Sequence, residues 1–167
     1  MKRFSLILLL LGLHVPPLGA AAGGNEFTQS AVAAFAIDAR TRVHDVAELD
    51  VRAFNDTLAA ATARGEPWTG NFIAIALRFA QSPPQGREQR VVVSTGPGEW
   101  EPGLPLRRAR VTIEDRGWLD DSVAGERWVI WIVADAGGKG LAVARGLRAW
   151  ECRRSPESSF YSARPCP

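Results

Sequence analysis

Arg127-Trp128-Val129-Ile130-Trp131-Ile132-Val133 is the stretch that decides the fold. A strand drawn through it is apolar on both faces, which is what a strand buried between two layers requires. It therefore reads as the central strand of a sheet. Trp128 and Trp131 are three residues apart and fall on opposite faces of that strand. One belongs in a core, and the other faces a pocket or a helix layer.

Strand signals surround this stretch. Arg108–Glu114 alternates, with Val111 and Ile113 inward and Arg110, Thr112 and Glu114 outward, the pattern of a sheet with one wet face. Arg90–Ser94 carries three consecutive valines, and Leu141–Cys152 is a last long strand. Pro- and Gly-rich turns at Gly96–Pro105 and Asp135–Gly140 separate them. Gly137-Gly138-Lys139-Gly140 lacks the spacing of a phosphate loop and reads as a hairpin tip. Four consecutive strands joined this way predict an antiparallel meander.

The front half is rich in helix signals. Over Thr28–Val43, Val32, Phe35, Ala36 and Ala39 recur at helical spacing, although Phe35, Ile37 and Ala39 also alternate as a strand would. A second helix is expected to start at Asp45 as cap, with Glu48 completing an acidic capping box. Val46, Leu49, Ala53, Thr57, Leu58 and Ala61 then share a face, Gly65 suits a left-handed C-terminal residue, and Pro67 ends the run. A third helix is expected from Thr69 as N-cap through Ala80. Phe72, Ile73, Ala76, Leu77 and Ala80 form one stripe, and Ile75 and Phe79 make the other side apolar too, as in a buried helix. A buried strand over Phe72–Leu77 is the alternative. Ser82–Arg87 marks the hinge between halves. The predicted class is α+β, with N-terminal helices packed on a C-terminal four-stranded antiparallel meander.

The chain opens with Lys2 and Arg3, a greasy run over Phe4–Leu13, a break at Pro16-Pro17 and small residues at Ala20-Ala21-Ala22. This is the layout of a cleaved secretory leader, too short to span a bilayer. The expectation is a signal peptide over 1–22 and a single α+β domain over 23–167, periplasmic or secreted. No cysteine follows the cut site, so no N-terminal lipid anchor is expected, and no other stretch is long enough to cross a membrane. The sequence holds 20 basic and 18 acidic residues. Lys2 and Arg3 leave with the leader, so the remainder is balanced, and nucleic-acid binding is not indicated. Late arginines such as Arg145, Arg148 and Arg153 read as a solvated face over apolar stems, or as a patch for an anionic glycan, headgroup or acidic protein.

Cys152 and Cys166 are the only cysteines. In an oxidising compartment they pair, closing a loop of about 15 residues worth roughly 3 kcal/mol in the chain-entropy model. The polar segment inside the loop predicts a tail held down by that bridge. The spacing is not that of a C-x-x-C redox pair.

Gly117-Trp118-Leu119-Asp120-Asp121-Ser122-Val123 is the most chemical-looking stretch. Its carboxylates could act as acid and base or hold a divalent cation, yet neighbours on an extended chain point apart, and Asp and Ser are common turn formers. His44 is the only histidine beyond the leader, which precludes a multi-histidine zinc site, and no nucleophile elbow is present. Six tryptophans serve mainly as core, and those left open suit sugars or peptides. No cofactor motif and no metal site is indicated. The candidate binding residues are Trp118, Asp120, Asp121 and Trp131.

Leu119-Asp120-Asp121-Ser122-Val123, Trp150-Glu151-Cys152 and Phe160-Tyr161-Ser162 with Pro165-Cys166 resemble a group of uncharacterised bacterial exported proteins. The resemblance covers the final third and implies export and a disulfide, with no activity. The order of helix before curved sheet also resembles cystatin-like α+β rolls, which often enclose an apolar pocket. Fold alone does not assign function. The expected role is a non-enzymatic exported domain that binds an unknown envelope ligand or protein. The alternatives are a small enzyme using Asp120, Asp121 or His44 as acid or base in an apolar pocket, and a structural factor without a ligand.

Overall fold

The computed structural model describes residues 24–36, 41–81, 88–95, 107–119, 122–134, 140–155, 158–164 and 166. The expected leader, Asp120 and Asp121, the hinge 82–87 and most of both glycine-rich turns lie outside them. Helix α1 is Gly24–Phe35. A two-residue strand β1, Ala47–Glu48, precedes α2, Arg52–Ala63, and α3, Phe72–Ala80, with a 3-10 turn over Pro67–Gly70 between the helices. Strands follow: β2 Glu88–Ser94, β3 Arg108–Arg116, β4 Val123–Ala134, β5 Leu141–Ser155 and β6 Ser158–Ser162.

The chain is thus α+β, helices with an antiparallel sheet. The sheet has six strands in the order β1-β5-β4-β3-β2, with β6 also on β5. The Arg127–Val133 stretch lies within β4, in the middle of that order. The two strands beyond the expected meander are too short to show an apolar alternation. β6 comes from the tail read as held by the bridge alone: Glu151 pairs with Tyr161 and Cys152 with Phe160. The disulfide Cys152–Cys166 is formed as well. On its other side β6 meets the segment before β1, where His44 N donates to Tyr161 O at 2.9 Å and Tyr161 N to Arg42 O at 2.9 Å.

That pairing explains why Asp45 does not begin a helix. The backbone of 42–48 runs beside β6 and β5, and the Asp45 carboxylate accepts from Ala163 N at 2.8 Å. Helix α2 starts later, and there Asp50 Oδ1 accepts from Arg52 N at 2.9 Å. The Arg52 guanidinium holds the Asp50 carboxyl at about 2. Gly65 follows α2 with φ of 71°, the left-handed conformation expected of it. Asn71, rather than Thr69, caps α3 by accepting from Ala74 N at 3.0 Å. Thr69 instead donates its hydroxyl to Glu66 O within the 3-10 turn.

One face of the sheet packs against α2 and α3. Leu58, Ile75, Ala76, Phe79, Val111 and Ile130 are among its buried members. Helix α3 is buried on one side only: Ile73 and Leu77 are 41% and 36% exposed. The Phe79 ring lies so close to β5 that a Cβ on Gly146 would sit 2.4 Å from it, so the crossing demands glycine. The opposite face carries a second cluster, with Phe35 of α1, Val129, Leu147, Ala149 and Tyr161 buried together.

Beyond the end of β1, β5 has a helix side chain for a neighbour. The Asn55 amide donates to Val143 O at 2.9 Å and accepts from Val143 N at 2.9 Å. It completes the pairing of a strand that is irregular here, since the register between β4 and β5 shifts between Trp131 and Ile132. Asn55→Ala removes both bonds and leaves a half-buried peptide unpaired. It is expected to lower stability by about 1–3 kcal/mol, read as a lower urea midpoint with an unchanged m-value.

Candidate functional site

The face of the sheet under α1 was expected to be wet. Thr112 and Glu114 are instead buried there, at 5% and 4% exposure. The register lays the side chains of this face in rows across the strands. At one end the row is Glu88, Arg116, Gly125 and Glu151; the next is Arg90, Glu114, Arg127 and Ala149. Val92, Thr112, Val129 and Leu147 follow, and Ser94, Arg110, Trp131 and Arg145 close the far end.

The first two rows carry an ionic network that is buried at its centre and exposed at Arg116. Arg127 Nη2 lies 2.9 Å from Glu114 Oε1, with both side chains nearly inaccessible. Arg116 reaches Glu151 at 3.2 Å and Glu114 at 3.9 Å, and donates to the Tyr161 hydroxyl at 3.3 Å. The Arg127 guanidinium stacks 4.1 Å above the Tyr161 ring and 5.6 Å from that of Phe35. Its Nε and Nη1 have no hydrogen-bond partner among the described residues, and the negative faces of these rings supply part of what they lack. Burial pushes the Tyr161 hydroxyl up, against the lowering effect of Arg127. The network holds α1, β6 and the sheet together.

The last row is open. Trp131, half-buried, floors a hollow of about 550 Å³ whose walls include Ala34 of α1, Ser94, Arg108, Arg110 and Arg145. The guanidinium carbons of Arg110 and Arg145 each lie 5.7 Å from the Trp131 ring centre, one on either neighbouring strand. Arg145 is also paired with Glu48 at 3.0 Å. No ion pair to Arg110 is found among the described residues, and its Nε is buried without a hydrogen bond. Burial first, and then the like charge of Arg127, push the Arg110 guanidinium below its ordinary value. A smaller hollow of about 200 Å³, lined by Arg90, Ser94, Arg110 and Thr112 among others, adjoins through Ser94 and Arg110.

A further hollow, about 730 Å³, opens on the opposite face between α2, α3 and β5. Phe54, Trp68, Phe79 and Trp128 present rings to it. Its cations have partners: Arg78 stacks on Trp68 at 4.5 Å, and Arg148 lies against Trp128 and Trp150 while bonding Glu126. The Glu126 carboxyl is buried, and that burial raises it above its ordinary value of 4.5.

Of the residues singled out from sequence, Trp131 lines the hollow under α1. Trp118 does not join it. It stands at the β3–β4 turn, at the other end of the sheet, edge-on to Trp150 with ring centres 5.4 Å apart. Trp118 and Trp131 therefore share no site. Asp120 and Asp121 lie outside the described residues. The turn itself is closed by Gly117 N donating to Ala124 O at 3.0 Å. His44 is exposed, stacked on Phe160 with centres 4.3 Å apart, and lines none of these hollows. Among the described residues no group of three or more His, Cys, Asp or Glu could hold a metal ion, and no helix is long and apolar enough to cross a membrane. Sequence reading put Arg145 in a possible patch for an anionic partner and Arg110 on a wet face, and joined neither to Trp131. Their signal was an arginine on each strand flanking Trp131, which needs the register to be seen.

Comparison with protein-family models, with curated proteins and with solved structures finds no match to this chain.

Glu126 yields a pH dependence. Because its carboxyl is raised on folding, the folded chain holds that proton more tightly than the unfolded chain. The stability it contributes is present below the ordinary value of 4.5 and is lost as pH rises through the folded value. Glu126→Gln removes this loss. The stability of the variant relative to the parent is expected to climb between pH 4 and pH 8, measured by urea unfolding across that range; a difference that stays flat with pH would contradict the assignment.

Proposed function

We propose that the chain is a non-enzymatic binding domain, exported to the bacterial periplasm or exterior, whose ligand occupies the hollow floored by Trp131. The leader-like start and the Cys152–Cys166 bridge support export, since disulfides persist where thiols are oxidised. The site rests on one observation: a half-buried tryptophan between two arginines at the bottom of an open hollow. An aromatic floor with a few convergent polar groups is the usual make-up of a small-ligand site. The acid–base alternative draws no support from His44, which stands outside these hollows. A cystatin-like roll, with its apolar pocket, is the architecture this reading favours.

Titration of the ¹⁵N-labelled protein with benzyl alcohol, benzoate and phenyl phosphate tests the site. The indole N–H signal of Trp131, recognised by its loss in Trp131→Phe, is expected to shift saturably with at least one probe, at a Kd on the order of millimolar for so small a ligand. A Trp131 signal unmoved by all three would overturn the site. Export predicts an N-terminus near Gly23 in the natively produced protein by mass spectrometry, and an intact Met1 would overturn it.

A further inference from the structure

We infer that the ligand of this hollow is an organic oxyanion, a carboxylate or phosphate carried on an apolar or aromatic body, and that Arg110 is its anchor. The inference rests on the reading of the hollow as a ligand site and adds the charge and the anchoring group.

Arg110 as it stands is costly. Its guanidinium is partly withdrawn from water and repelled by Arg127, and its Nε makes no hydrogen bond. A withdrawn cation is tolerated when a counter-charge is close. Among the described residues, the acids of this face are engaged elsewhere. Glu114 binds Arg127 and Arg116, and Glu48 binds Arg145. Glu88 and Glu151 belong to the row at the far end of the face. Among the described residues no acid of this face is left over for Arg110, and a hollow opens directly on it.

Position adds to charge. Arg110 lies where the larger and smaller hollows meet, beside Ser94, whose hydroxyl is within 3.4 Å of the Arg110 carbonyl oxygen. A planar guanidinium matches the two oxygens of a carboxylate or phosphate and binds them through parallel N–H bonds. With the oxyanion at Arg110, the body of the ligand would lie over Trp131, and Arg145 on the opposite flank would add a second positive field. Apolar floor and cationic rim together select an amphiphilic anion over a bare inorganic ion.

The same three probes test the inference separately from the site. Benzoate and phenyl phosphate are expected to bind at least about tenfold tighter than benzyl alcohol, the scale of one charge-assisted hydrogen-bond set. The two anions distinguish a carboxylate ligand from a phosphate one. Arg110→Gln is expected to erase the preference while leaving benzyl alcohol affinity within about twofold. Glu48→Gln, a change at an exposed side chain, takes the Glu48 carboxylate away from Arg145 and is expected to strengthen both anions without affecting the alcohol; it carries the test if the Arg110 variant does not fold. Equal binding of alcohol and anions would sink the inference and leave the site standing. So would a preference that persists in Arg110→Gln, or anion affinity unchanged by Glu48→Gln. Failure of every probe to move Trp131 would remove the site itself.

Discussion

The contact between Arg127 and Glu114 organises this molecule. Each is nearly inaccessible, and they meet at 2.9 Å on neighbouring strands beneath α1. A buried ion pair is weak evidence for net stability, because desolvation offsets most of the attraction. Its effect here is to fix geometry. Arg127 can keep its charge out of water only with Glu114 beside it and with aromatic rings above it. The rings are those of Phe35, from the first helix, and Tyr161, from the last strand. The pair thereby dictates what must cover this face, and it explains why a sheet surface carrying Arg, Thr and Glu is dry.

The two faces solve the burial problem differently. Toward α2 and α3 the solution is ordinary apolar packing, with Phe79 pressed on Gly146 and an asparagine standing in for a strand neighbour at Val143. Toward α1 charge and aromatic area are interleaved, and among the described residues the cover does not reach the last row of the sheet. Trp131 and Arg110 lie where it ends. The candidate site is the end of the ionic face, where the glutamates described nearby are already held by other arginines.

Much of the fold was legible from residue period alone. The apolar run through β4 placed the central strand and put Trp128 and Trp131 on opposite faces. Gly65 and Pro67 marked the end of α2. Period failed where tertiary contact supplied what the local sequence did not. The Asp45–Glu48 pattern imitates a capping box, yet its backbone pairs with β5 and β6 and its carboxylates reach Ala163 and Arg145. The outward residues of β3 alternate as if solvated, but a distant helix and the C-terminal strand cover them. Ile73 and Leu77 look like core from their spacing and face outward. Of the site, Trp131 was readable because a strand with two dry faces must send one tryptophan away from the main core. Arg110 was not, because its significance lies in what its neighbours on other strands do with their charges.

The meeting of Phe35 with Tyr161, rings 5.4 Å apart in an edge-to-face arrangement, joins nearly the whole length of the chain in one contact. The contact joins α1 to β6, with every other strand of the sheet between them in sequence. Such long sequence separation delays folding. The cover over Arg127 therefore waits on a contact between elements far apart in sequence.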